Sequence, residues 1–163
     1  MISLIEKFNA LLSKIPYSLI ALIARFSIAA VFWKSGQTKV TELVIDFVNG
    51  DFVLAWPKLS DSAVALFQSE YHVPFISADI AAPLAAFAEH AFPLLLLLGL
   101  ATRCSALALL GMTLVIQLFV YPDAYPIHGT WAALLLILMS KGAGKFSLDH
   151  AIHRYFSNRK QSS

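Results

Sequence analysis

Glu89 and His90 stand side by side in the apolar stretch Phe87-Ala88-Glu89-His90-Ala91-Phe92-Pro93, and Arg25 stands in the middle of an earlier apolar run. A guanidinium holds carbonyls and oxyanions, and an imidazole passes protons near neutral pH. At bilayer depth such groups are costly, and they mark either a functional site or a partnered core. At about 100° per residue, Ala21, Arg25, Ala29, Phe32 and Gly36 share one helical face. Ala78, Ala82, Ala85, Ala86 and Glu89 share another. Small residues around one charge suit close helix contact in lipid. Counted inward from the ends of their runs, Arg25 and Glu89 fall at matching depth. The sequence therefore predicts an Arg25–Glu89 pair between antiparallel neighbours.

Two readings of that pair stay open. It is a buried ion pair that fixes helix register, in which loss of one partner strands a charge at about 3–5 kcal/mol. Or it is a site for an anion or a quinone headgroup, or a proton relay. His90, about 100° around the helix from Glu89, is a hydrogen-bonded core histidine or a proton carrier. Pro93 lacks an N–H and its ring crowds the Glu89 carbonyl, so a kink is expected there. Thr113 and Gln117 lie four apart on one face of a later run, and His128 lies near the outer end of the last. These are supporting polar candidates, read as interhelical hydrogen bonding or as a polar path inward. Lys34 points away from the Arg25 face.

The remaining histidines, His72, His150 and His153, lie at other depths, and no metal-ligand spacing occurs. The single cysteine, Cys104, allows no internal disulfide and no CxxC pair, and reads as a small packing residue. No catalytic motif and no nucleic-acid motif is visible.

The elements that must position these residues follow from composition and period. The 163 residues are 58% hydrophobic and 13% charged, against about 25% charged in soluble domains. The expected fold is an all-α membrane protein, one domain built as a four-helix transmembrane bundle with spans at about 17–37, 79–100, 104–121 and 127–143. Residues 38–78 form a small extracytoplasmic cap. In it, Asn49-Gly50 between the β-prone runs Leu43–Val48 and Asp51–Trp56 signals a hairpin, and Ser60-Asp61 signals a short helix. Residues 1–15 carry Ile5, Phe8, Leu12 and Ile15 as an apolar stripe. They read as an interfacial helix or as an extension of the next one. Residues 147–158 form an amphipathic tail with Ser147 as its cap, and Thr102 is expected to cap the third span. The first run is long, contains Arg25 and is followed by no cleavage pattern, so the N-terminus is expected to be retained. Eight basic residues fall on one set of segments (Lys7, Lys14, Arg103, Lys141, Lys145, Arg154, Arg159, Lys160) and three on the other (Lys34, Lys39, Lys58). That bias places both termini in the cytoplasm.

The stretches RFSIAAVFWKSGQTKV (Arg25 to Val40), FPLLLLLGLATR (Phe92 to Arg103), ALALLGMTLVIQ (Ala106 to Gln117) and GAGKFSLDH (Gly142 to His150) resemble the DoxX family of bacterial inner-membrane proteins. The resemblance implies a multi-pass, four-helix protein of the cytoplasmic membrane. It also implies a membrane subunit or accessory of a quinone- or thiol-linked redox system. A small transporter, or an assembly partner such as one serving a metal-binding-peptide system, is the alternative. Quinone is the cofactor this reading suggests. Membrane lipid, other membrane, periplasmic or cytoplasmic proteins, or further copies of the chain are the partners.

Overall fold

The computed structural model describes residues 2–46, 49–71 and 73–161. Phe47 and Val48, which fall in the expected β-prone run Leu43–Val48, and His72 lie outside them. Helix α1 spans Ile2–Leu12 and α2 spans Tyr17–Gln37. Pro16 separates the two, because the residue before a proline is pushed out of the helical region and proline itself donates no hydrogen bond. Residues 2–12 are thus a helix of their own rather than an extension of α2. Leu4, Ile5, Phe8 and Leu11 are all exposed on it.

The hairpin is present. Strand β1 (Val40–Asp46) pairs antiparallel with β2 (Asp51–Leu59), with Asp46 opposite Asp51 and an irregularity between Thr41 and Leu43. Gly50, at φ +78°, supplies the left-handed residue the turn requires. Helix α3 (Asp61–Ser69) follows, and the Ser60 hydroxyl accepts the Ala63 N–H at its start as expected.

Helix α4 spans Ala78–Leu98 and continues as one α-helix through both Pro83 and Pro93. Helices α5 (Thr102–Phe119) and α6 (Tyr125–Lys141) follow, joined by a single 3-10 turn at Pro122–Ala124. Helix α7 is Leu148–Gln161, and the Ser147 hydroxyl accepts the His150 N–H at its start.

Four helices pack in a ring: α2 against α4 and α6, and α5 against α4 and α6. The centre is filled by Ala21, Ala24, Ile28, Phe32, Leu96, Ala106, Leu109, Leu135 and Leu138. The expected α2 stripe is buried throughout: Ala21, Arg25, Ala29, Phe32 and Gly36. Large apolar side chains such as Ile23, Phe26, Leu84, Phe87, Leu107 and Leu114 face outward. A surface of that kind is stable against lipid tails, not water. Three helices, α2, α4 and α5, are long and apolar enough to cross a membrane, and α6 has 17 residues.

Cys104 is exposed rather than packed. The buried stripe of α5 runs through Thr102, Ser105, Ala106, Leu109 and Thr113, and Cys104 falls off that face. Nor is Thr102 the cap of α5. Ala101 occupies that position, in a left-handed conformation (φ 48°, ψ 38°).

Candidate functional site

The structure separates the predicted Arg25–Glu89 pair into two sites at opposite ends of the α2–α4 contact. Gly36 stands opposite Glu89 and His90: a Cβ there would come within 2.8 Å of His90 Cε1 and 3.1 Å of Glu89 Cβ. Arg25 lies 11 residues earlier on α2, a rise of about 16 Å. It reaches Leu96 and Leu97 instead. The two helices are staggered, so equal counts from their ends do not give equal depth.

At the upper site, where the hairpin leaves α2, Glu89 pairs with Lys39. Glu89 Oε2 lies 2.7 Å from Lys39 Nζ, and both side chains are buried. Ser35 joins them. Its hydroxyl donates to Glu89 Oε1 at 3.2 Å and accepts from Lys39 Nζ at 3.2 Å. The ammonium also points at the Ser35 carbonyl, 3.4 Å away. A carboxylate and an ammonium out of water hold their charges only with such partners.

His90 belongs to a second chain of contacts on the same side. Gln37 Oε1 accepts the Ile45 N–H at 2.8 Å, which turns its amide nitrogen toward His90 Nε2, 2.9 Å away. Nε2 is therefore the acceptor, and Nδ1–H donates to the Ala86 carbonyl at 2.7 Å. That assigns a neutral imidazole in one tautomer. The Trp33 indole meets its ring edge-on at 4.9 Å. Trp33 Nε1 is buried with no acceptor among the described residues. The site thus sets a closed ion pair beside a neutral histidine, linked through Gln37 to strand β1.

Ser35, Gln37 and Lys39 were missed by sequence reasoning, yet a signal for Lys39 existed. The buried α2 stripe passes through Phe32 and Gly36, and the next position of that period is Lys39. Its charge assigned it to a solvated outer segment instead.

At the lower site Arg25 is a backbone clamp. Its Nη1 donates to the Leu96 and Leu97 carbonyls at 3.2 Å each, and its Nη2 donates to the Phe146 carbonyl. The first two belong to the last turn of α4, where the helix dipole favours a cation. Gly99 ends α4 at φ +68°, and a Cβ there would collide with Arg25 Nη1 at 2.3 Å. Asp149, from α7, closes the turn. Its two oxygens accept Ala101 N–H at 2.8 Å and Thr102 N–H at 3.0 Å, and its own N–H donates to the Gly99 carbonyl at 2.8 Å. The left-handed Ala101 is held by that carboxylate, which caps α5 in place of Thr102. Tyr17 donates to the Gly142 carbonyl at 2.6 Å. Gly144 approaches so closely that a Cβ would lie 2.9 Å from Ser18 Cα.

The supporting residues divide as well. Gln117 and His128 meet: His128 Nδ1 lies 2.8 Å from Gln117 Oε1, and the Gln117 amide donates to the Pro122 carbonyl. Thr113 bonds back to the Leu109 carbonyl of its own helix, 2.8 Å away. The two do not form a shared polar path.

The DoxX family model matches residues 20–122, more than half of the chain. The chain belongs to the DoxX family. An uncharacterized protein of Haemophilus influenzae is 32% identical over 148 residues, covering 85% of this chain and 86% of its own length. No solved structure matches the chain. The matched segment of this DoxX protein contains Arg25 and every member of the Lys39–Glu89–His90 site, and it ends before the Gly142–His150 stretch.

Proposed function

We propose that this DoxX protein is a single-domain, four-span protein of the bacterial inner membrane, with α6 as the fourth span and both termini cytoplasmic. The packing of α6 between α2 and α5 supports the fourth span. An even number of crossings and the basic bias of one set of segments support the orientation. On that reading residues 38–78 are the extracytoplasmic cap.

Its role is that of a membrane subunit or accessory in a redox system, exchanging with a lipid-soluble quinone at the Lys39–Glu89–His90 site. Reduction of a quinone consumes two electrons and two protons. The electrons come from a partner redox protein. The proton-bearing groups are this chain's own. The observation that carries the reading is the burial of an ionisable pair directly beside a half-buried neutral histidine in an apolar bundle. A thiol-linked role would run through the partner, because Cys104 is the single cysteine.

The test is gentle purification from native membranes, comparing the wild type with Glu89→Gln. Quinone retained by the wild type and lost from a folded variant supports the site. Absence of both quinone and a co-purifying redox protein from the wild type refutes it. One observation favours a second reading, an assembly partner without chemistry: Lys39 and Glu89 neutralise each other within the chain.

A further inference from the structure

At the end of the bundle where α2 and α5 begin and α6 ends, the protein has a groove of about 880 Å³. Its walls are the start of α2, the first turn of α5, the segment after α6 and the first turns of α7. Arg103, Lys141 and Lys145 line it, with His150 and His153 along α7. The one acid among its lining residues is Asp149, and both its oxygens already serve the Ala101 and Thr102 N–H groups. The groove is therefore a cationic concavity with its one carboxylate spent internally.

Its shape is fixed. The Lys145 N–H donates to the Ser18 hydroxyl at 3.0 Å, and Gly144 is seated against Ser18. The Lys145 side chain itself is exposed. Arg103 uses one N–H on the Ser140 carbonyl at 3.3 Å, and Lys141 Nζ lies 5.6 Å over the Tyr17 ring.

The surroundings of the groove are apolar. Phe146 is 64% exposed on its wall, and Leu148, Ile152, Tyr155 and Phe156 line up exposed along α7. Such a row on a helix with basic neighbours lies in the headgroup layer. A soluble anion would have no use for it, whereas a phospholipid offers both an anionic headgroup and acyl chains.

We propose that this groove is a binding site for an anionic phospholipid, with the phosphodiester held by Arg103, Lys141 and Lys145 and the acyl chains lying along Phe146 and the apolar row of α7. Basic pockets between helices at a membrane surface suit this ligand class. The site is independent of the redox reading.

The experiment is native mass spectrometry of the delipidated full-length protein, titrated with phosphatidylglycerol or with phosphatidylcholine of the same chains. The wild type should retain phosphatidylglycerol about tenfold better, and Lys141→Gln/Lys145→Gln should lose about tenfold of that retention while phosphatidylcholine binding is unchanged. Equal retention of the two lipids by the wild type overturns the proposal. So does an undiminished preference in a double variant of unchanged Tm. Displacement of the lipid by millimolar inorganic phosphate also overturns it, because the groove would then be a site for a free anion. If the double variant misfolds, Lys145→Gln alone, at an exposed loop position, makes the same comparison with a smaller expected loss of about threefold to fivefold.

Discussion

Lys39 and Glu89 should be strongly coupled in stability, and a double-mutant cycle measures that coupling. Both are almost fully buried, at 4% and 3% exposure, with their charges 2.7 Å apart. Glu89→Leu leaves a buried ammonium whose remaining contacts are Ser35 oxygens. Lys39→Met leaves a buried carboxylate with the Ser35 hydroxyl as its one hydrogen-bond partner among the described residues. Stranding one charge of such a pair costs about 3–5 kcal/mol, and replacing both with apolar groups of similar volume is often close to neutral. Each single variant should therefore unfold about 6–20 °C below the wild type, on the usual 2–4 °C per kcal/mol for a domain of this size. The double variant Lys39→Met/Glu89→Leu should recover most of that loss, giving a coupling of about 3 kcal/mol or more, against near-additivity for independent sites. The assay is reversible unfolding in mixed micelles, followed by helical circular dichroism and tryptophan fluorescence. A double variant as unstable as the sum of the singles would refute the pairing.

Arg25→Met removes two carbonyl interactions at the end of α4 and one at Phe146, and should cost about 3 kcal/mol or more by the same unfolding assay. Arg25→Lys should rescue little, because an ammonium lacks the fork that reaches Leu96, Leu97 and Phe146 together. Asp149→Ala should cost about 1–2 kcal/mol through loss of the α5 cap, and it should speed amide exchange at Ala101 and Thr102. Gly36→Ala should destabilise by about 1–3 kcal/mol, because its Cβ must displace the His90 ring or the α2–α4 contact. Retention of full stability by that variant would show that α2 and α4 are not so close at Glu89.

The period of the sequence reveals which residues face inward but not how far one helix slides along another. The α2 face through Arg25 and Gly36 is buried as expected, and the hairpin at Asn49-Gly50 and the Ser60 and Ser147 caps are local signals that the structure bears out. The Arg25–Glu89 pairing failed because it needed a relative translation. Helix α2 begins well below the end of α4, and α4 begins well above the end of α2, so Arg25 meets Leu96 and Gly36 meets Glu89. Nothing local in either run encodes that offset. The Asp149 cap was illegible for the same reason: it comes from a residue 47 or 48 positions away in the chain. Lys39 was legible by period, but its charge argued for solvent. A buried lysine is recognisable only once its carboxylate is placed.

Two of the family-like stretches are concerned chiefly with closure, the second of them beyond the residues that the family model matches. The Gly99–Thr102 turn and the Gly142–Asp149 segment meet each other through Asp149, and Arg25 lies against Gly99 of the first and bonds the Phe146 carbonyl of the second. That knot joins the last turn of α4, the first of α5 and the segment leaving α6, so it fixes how four helices converge at one end. Arg25 Nη1 and Nη2 are turned on backbone carbonyls, while its Nε is buried with no partner among the described residues. The polar pair and the histidine lie about 16 Å away along α2, supported by Ser35 and Gln37 from the same recognisable stretch that holds Arg25. Division of labour along α2 follows: its lower half clamps the bundle and its upper half holds the ionisable groups. A substitution in the clamp should therefore lower stability and ligand retention together, whereas Gln37→Leu, which withdraws the donor to His90 Nε2 and the acceptor of the Ile45 N–H, should change quinone retention at a modest cost in stability of about 1 kcal/mol, or about 2–4 °C in Tm. If quinone retention instead follows Tm across both halves, the upper site has no chemistry of its own and the assembly reading stands.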